Sequence, residues 1–240
     1  MRGIVIALAV CYPLAAHLAV LTGSPRLTLV CLGLLVALAL APAHTRRRPA
    51  AWLAALVAAG AFALPFLAPP RWTWLPLYAP TVLGDVFLAW LFGHTLARGQ
   101  VPLVERMVRL LHAPAVGESL DPQIVRYVRR LTAAWSLLFA ALGLTDLLLA
   151  LLAVPNGVLP LLGVVPVVTV PQRVWSWFAN IAEYAIGAAF FVAEYTYRRW
   201  RFPQQPYAGL LDFVRRLSAI APRVLAPAAQ RAAGGVTEQT

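Results

Sequence analysis

Six apolar runs, separated by stretches that collect proline and arginine, make up about half of the chain. They are Gly3–Thr22, Leu27–Ala43, Ala50–Ala68, Leu77–Ala97, Thr132–Val154 and Val174–Tyr195. A bilayer core of about 30 Å is crossed by about 20 helical residues, and each run is close to that length. The pattern predicts an all-α fold: a polytopic transmembrane helix bundle of about six spans over residues 1–203, followed by a tail over 204–240. Composition agrees, since 61% of residues are hydrophobic, 12% are charged and the mean hydropathy is +0.74. A soluble domain is only about 45–50% apolar.

Charge then gives the orientation. All 20 basic residues are arginine, and the formal net charge is +11. Arg2, Arg46 to Arg48, the six arginines from Arg98 to Arg130 and the seven from Arg198 onward lie on one side of the predicted topology. Only Arg26, Arg71 and Arg173 lie on the other. Arginine-rich loops stay in the cytoplasm, so both termini are expected there, with the chain crossing its membrane several times. Because the basic residues flank apolar spans, the high charge is read as topology and not as a nucleic-acid surface. Met1-Arg2 before an apolar stretch also opens a secretory signal; an uncleaved first span, turned at Gly23-Ser24-Pro25 into the second, is the preferred reading. Cys11 and Cys31 fall at different depths in two antiparallel spans, too far apart for a disulfide.

The polar mass lies in a cytoplasmic loop, residues 98–131, and in the tail. From Pro102 to His112, Leu103, Val104, Met107, Val108 and Leu111 share a helical face opposite Glu105, Arg106 and Arg109, the pattern of a helix lying in the headgroup plane. A second short helix should start at Asp121-Pro122, where aspartate caps and proline suits the first turn, and lead Arg126, Arg129 and Arg130 into the fifth span. In the tail, Leu210, Leu211, Val214 and Leu217 share a face away from Asp212, Arg215 and Arg216; beyond Pro222 the composition predicts disorder. The external loop, residues 155–173, is apolar but holds Pro155, Pro160, Pro166 and Pro171. It is expected to dip against the bundle or lie on the outer surface. Trp72, Trp74, Tyr78, Trp175 and Trp177 should mark the outer interface and Tyr195, Tyr197 and Trp200 the inner one. Alanines four apart, as at Ala185, Ala189 and Ala193, point weakly to helix packing.

Three acids sit within spans. Asp85, Asp146 and Glu183 lie seven, eight and nine residues from the outer ends of their helices, about 10 to 14 Å deep at 1.5 Å per residue. A carboxyl there costs about 2.5 kcal/mol or more and must face the bundle interior, a cavity or a partner. With His17 and Asn180 they form a candidate intramembrane polar cluster, such as a proton-coupled carrier uses. The alternative is that each acid is protonated and hydrogen-bonds a neighbouring helix, holding the bundle together. Glu194 and Arg198, four apart at the inner end of the last span, form a candidate interfacial ion pair. His94 and His112 are read as interfacial. Arg106, Arg109, Arg126, Arg129, Arg130, Arg215 and Arg216 form a basic surface suited to anionic headgroups or an acidic partner.

No catalytic residue, metal site or cofactor is expected. Without lysine there is no phosphate-binding loop and no Schiff-base group, and the chain lacks H-E-x-x-H, C-x-x-C and G-x-S-x-G. No nucleophile and base stand out as a pair, which disfavours an enzyme.

The stretches Phe92-Gly93-His94-Thr95-Leu96, Pro102-Leu103-Val104 and Tyr127-Val128-Arg129-Arg130-Leu131-Thr132-Ala133-Ala134-Trp135 resemble a family of uncharacterised bacterial inner-membrane proteins. So do Trp177-Phe178-Ala179-Asn180, Glu194-Tyr195-Thr196-Tyr197-Arg198, Phe202-Pro203 and Leu211-Asp212-Phe213. The resemblance covers roughly Phe92 to Phe213. Members look like accessory proteins encoded in aryl-polyene, or xanthomonadin-like, pigment biosynthesis clusters. The resemblance therefore implies a role in assembling, anchoring or exporting a lipid-like pigment, with pigment enzymes, export proteins or acyl carrier protein as partners. It brings no catalytic residues. The reading from a different class is a small proton-coupled transporter or flippase using the intramembrane acids.

Overall fold

A computed structural model describes residues 2–24, 26–35, 74–112, 121–203 and 208–220, with isolated positions between 56 and 72 and at 224. The described chain is mostly helical. Three helices are long and apolar enough to cross a membrane: Leu75–Leu96, Pro122–Leu152 and Gln172–Arg201. The first predicted span forms a helix and the second is described only to Leu35; the third, Ala50–Ala68, lies almost wholly outside the described residues.

Helix α1 (Arg2–Thr22) continues through Pro13, and α2 (Arg26–Leu35) follows after a tight turn. Gly23 has φ +59°, and Ser24 N donates to Ala19 O at 3.3 Å while Gly23 N donates to Val20 O at 3.4 Å. This left-handed cap closes the carbonyl end of α1, a conformation that favours glycine. Ser24 Oγ then accepts from Leu27 N at 3.4 Å and caps α2. Cys11 is exposed and Cys31 buried, and both are free thiols.

Helix α3 (Leu75–Gly93) ends in a 3-10 turn, His94–Leu96. The amphipathic helix α4 (Leu103–His112) has its first amides satisfied from a distance: Leu103 N donates to Thr95 Oγ1 at 3.0 Å and Val104 N to Thr132 Oγ1 at 3.4 Å. Both threonines are fully buried. Two hydroxyls from other helices thus do the work of an N-cap. In place of a short helix feeding a span, α5 is one 31-residue helix, Pro122–Leu152. The expected cap is present, with Gln123 N donating to Asp121 Oδ1 at 2.7 Å.

The proline-rich loop is pinned at its base by a two-residue parallel pairing of β1 (Ala153–Val154) with β2 (Val170–Pro171). Between them lies a single turn, α6 (Val158–Leu161), whose Leu161 is buried while Val165 and Val167 are 88% and 104% exposed. Both expectations for the loop are met in part: its base docks, and its tip projects. The last apolar helix, α7 (Gln172–Arg201), contains one wide π turn, Phe178–Ala182. Residues 210–220 form α8. Asp212 accepts from Ala208 N at 3.2 Å and from Arg216 at 3.0 Å, which holds its carboxyl below the usual carboxylate range.

The chain divides into two compact units: Met1–Val86 with Ala141–Ala188, and Phe87–Ala140 with Ala189–Thr240. The core of the first joins Tyr12, Ala16, Ala19, Cys31, Leu32, Leu77, Tyr78, Ala150, Ala153, Trp175 and Ala179. Its alanines let backbones approach closely, as expected where apolar helices have no water to escape from. The predicted stripe Ala185, Ala189, Ala193 is exposed instead. In the second unit, Val104 and Val108 of α4 pack with Val128 and Leu131, and Leu103 packs with Leu91 and Val224. The apolar face of α4 is therefore filled by protein, a correction to its reading as a headgroup helix, and Glu105 is buried as well. In α8 the buried residue is Phe213, flanked by Leu210 and Leu217, whereas Leu211 and Val214 are exposed. The predicted stripe was one residue out of phase because it left out the aromatic ring. Phe213→Ala should destabilise the second unit by about 3 kcal/mol and expose residues 208–220 to limited proteolysis; thermal unfolding and peptide mapping check both.

Candidate functional site

The sequence of α3 puts Tyr78, Thr81 and Asp85 three and four residues apart, on one helical face. α5 offers Gly143 and Asp146, again three apart, and α7 brings Glu183 directly after its π turn. The three acids meet inside the first unit. Asp85 is 3% exposed and Asp146 0%. Thr81 Oγ1 donates to Asp146 Oδ2. Asp85 and Glu183 lie close enough to interact directly, and both act electrostatically on each other. Two carboxylates have only acceptors, so any hydrogen bond between them requires a proton on one. Among the described residues, no group of three His, Cys, Asp or Glu is arranged to hold a metal ion.

The close approach of α3 and α5 depends on Gly143: a Cβ there would lie 2.9 Å from Asp85 Cβ. Glycine leaves room for the carboxyl's own helix face, so the site is built from a missing side chain as much as from the acids. Gly143→Ala should push Asp85 aside and cost about 1–3 kcal/mol, read as a lower unfolding temperature; Gly84→Ala on α3, where no atom lies within 4 Å of the added carbon, is the control.

His17 and Asn180 form a separate knot around Ser176, which is completely buried. His17 Nδ1 lies 3.0 Å from Ser176 Oγ, and Asn180 Nδ2 donates to Ser176 O at 2.9 Å. The five-residue cluster expected from depth is thus a carboxyl trio with a neighbouring hydrogen-bonded trio on α1 and α7. A third polar link runs toward the proline-rich loop: Tyr78 OH donates to Asn156 O at 3.1 Å, and Asn156 Nδ2 to Gln172 Oε1 at 2.9 Å. Tyr78 and Trp175 are therefore core groups, with ring centroids 4.2 Å apart, and Trp175 is 1% exposed. Tyr195 is likewise packed inside the protein, whereas Trp177, Tyr197 and Trp200 are exposed.

In the second unit, Glu194 and Arg198 form the predicted pair, with Arg198 Nε 3.1 Å from Glu194 Oε1. The pair is buried, with side chains 7% and 8% exposed, where an interfacial one was expected. Tyr127 OH donates to Glu194 Oε1 at 3.0 Å, and the Arg198 guanidinium lies 4.3 Å from the Phe213 ring centroid. Arg198→Gln leaves a buried carboxylate without its cation, so a loss of about 3–5 kcal/mol is expected, whereas Tyr127→Phe removes one hydrogen bond and about 1 kcal/mol. Chemical or thermal unfolding in detergent ranks the two.

Of the basic surface, Arg109 pairs with Glu105 at 2.6 Å and Arg216 with Asp212 at 3.0 Å. Arg106 donates to Val101 O at 2.9 Å, and Arg129 to Leu96 O at 2.7 Å, where it closes the 3-10 turn. Arg126, Arg130 and Arg215 are exposed. His94 stacks on Trp90, with centroids 4.5 Å apart; the helix ends at His112.

Sequence reasoning missed Thr81, Trp175, Ser176, Tyr78, Asn156 and Gln172. Thr81 was legible, since it shares a helical face with Asp85, but Ser176 and Gln172 carry no charge to single them out. Comparison of the chain with protein-family models, with curated proteins and with solved structures yields no match.

Proposed function

We propose that the chain is a multi-pass bacterial inner-membrane protein of about six spans that supports export of a lipid-like pigment of the aryl-polyene type. In this reading it works as an accessory with Asp85, Asp146 and Glu183 as its proton-binding element. The observation that carries the proton part is the meeting of three carboxyls from three helices inside one unit, Asp85 and Asp146 buried and Glu183 half-buried beside them. A carboxyl pair in an apolar setting is a natural carrier of one proton, and intramembrane acids are found in proton relays. The polar link through Tyr78, Asn156 and Gln172 gives the first unit a hydrogen-bonding side toward the loop that the arginine distribution places outside.

The pigment part rests on the resemblance over Phe92 to Phe213. Exposed Arg126, Arg130 and Arg215 would attract anionic headgroups or an acidic partner such as acyl carrier protein. A structural role for the acids has its own support in the donation from Thr81 to Asp146, which ties α3 to α5 whatever the cluster transports.

Chromosomal variants decide between these roles. In Asp85→Asn, Asp146→Asn or Glu183→Gln strains, pigment should be retained in the inner membrane, as it should in wild-type cells treated with a protonophore. Correctly folded amide variants that deliver pigment to the outer membrane as the wild type does would reduce the acids to struts. Unchanged pigment in a clean deletion would remove the pigment link altogether. Orientation is read separately: an impermeant maleimide should label Val167→Cys in intact spheroplasts and Arg215→Cys only after permeabilisation.

A further inference from the structure

The second unit contains a cavity of about 310 Å³ that the carboxyl cluster does not use. Its walls come from α3, α4, α5, α7 and α8, and five of its side chains are aromatic: Phe92, Trp135, Phe139, Phe191 and Phe213. Aliphatic side chains such as Val108 and Leu131 supply most of the rest, and its charged lining residues are Glu194 and Arg198. Small-molecule sites occupy about 300–1,000 Å³, so this one is at the narrow end, with room for one chain and not two. An apolar lining offers a ligand almost no hydrogen bonds, which selects hydrocarbon.

The charged end is asymmetric. Glu194 neutralises Arg198 in the wall, and the same last turn of α7 carries Arg199 and Arg201, exposed beyond the lining, with Arg199 donating to the Tyr195 hydroxyl at 3.3 Å and Arg201 to Gln123 Oε1 at 3.2 Å. The balance there is positive, which favours an anionic head. We infer that this cavity is a binding site for a single-chain anionic amphiphile of the long-chain fatty-acid class, its chain among the aromatic rings and its head at the Arg198 end of α7. As to purpose, the inference rests on the lipid-handling reading above and names the class of molecule handled; binding itself does not depend on a proton gradient.

Photolabelling tests it. The full-length chain in phosphatidylcholine nanodiscs is irradiated with a palmitate analogue carrying a diazirine at its chain end, and labelled peptides are mapped. Label should concentrate on residues 131–139 and 190–198, be displaced by excess palmitate and persist against hexadecanol. Val108→Trp and Leu131→Trp, each of which fills the cavity, should cut labelling severalfold in protein that still unfolds cooperatively, even where overpacking lowers its stability by about 1–3 kcal/mol. An Arg199→Gln/Arg201→Gln double variant, altered only on the surface, should raise the palmitate needed for displacement about tenfold, the change that ~1.4 kcal/mol gives. Label spread over the outward helix faces and indifferent to both filling variants overturns the site, and equal displacement by hexadecanol overturns the anionic head. These results leave the proton reading untouched, just as inert amide variants would leave the cavity untouched.

Discussion

A carboxyl group drawn into an apolar helix bundle has no water to turn to, and every other feature of the first unit follows from how Asp146 meets that demand. It takes a donor from Thr81 on α3, and one turn away Tyr78 of α3 packs its ring on Trp175 of α7, so three helices are fixed in rotation by adjoining contacts. That rotation aims Asp85 at Glu183 and turns Tyr78 toward the base of the loop. Hydrophobic burial cannot specify such a rotation between greasy helices, because one apolar face packs about as well as the next against lipid or protein. Hydrogen bonds supply the specificity, and small residues such as Gly143, Ala150 and Ala179 supply the proximity that makes those bonds short.

The second unit solves the same problem with ions. Glu194 and Arg198 stand one turn apart on α7, so the pair forms within its own helix, and Tyr127 and Phe213 reach it from outside. Around it the walls are aromatic. α4 is held at its start by Thr95 and Thr132, which fixes where its apolar face lies without help from a membrane surface.

How much of this was legible depends on what each signal measures. Hydropathy reads length, and it located α1 and α3 within a few residues, whereas α5 begins ten residues before its apolar run and α7 ends six residues after its own. Charge four residues apart on a helix is a local relation, so Glu194 with Arg198 could be written down in advance. Equal depth of Asp85, Asp146 and Glu183 was also local arithmetic, and here depth did correspond to contact. Rotation about each helix axis was not legible. Amphipathicity normally reveals it, but in spans where lipid and core are equally apolar the moment fades, which is why the alanine stripe faced outward and Trp175 inward. In α4 the reverse error arose: a strong apolar face was credited to lipid when other helices already covered it.

The exposed guanidinium groups of Arg126, Arg130 and Arg215 differ in kind from the lysine-rich surfaces common on basic proteins. A guanidinium stays protonated at any pH a cell experiences and has no amine to acylate. The attraction this surface exerts is therefore constant: acetylation cannot silence it, and acidification cannot strengthen it. Whatever gathers there is held by a permanent electrostatic bias, and any regulation of that contact has to come from the charge carried by the partner.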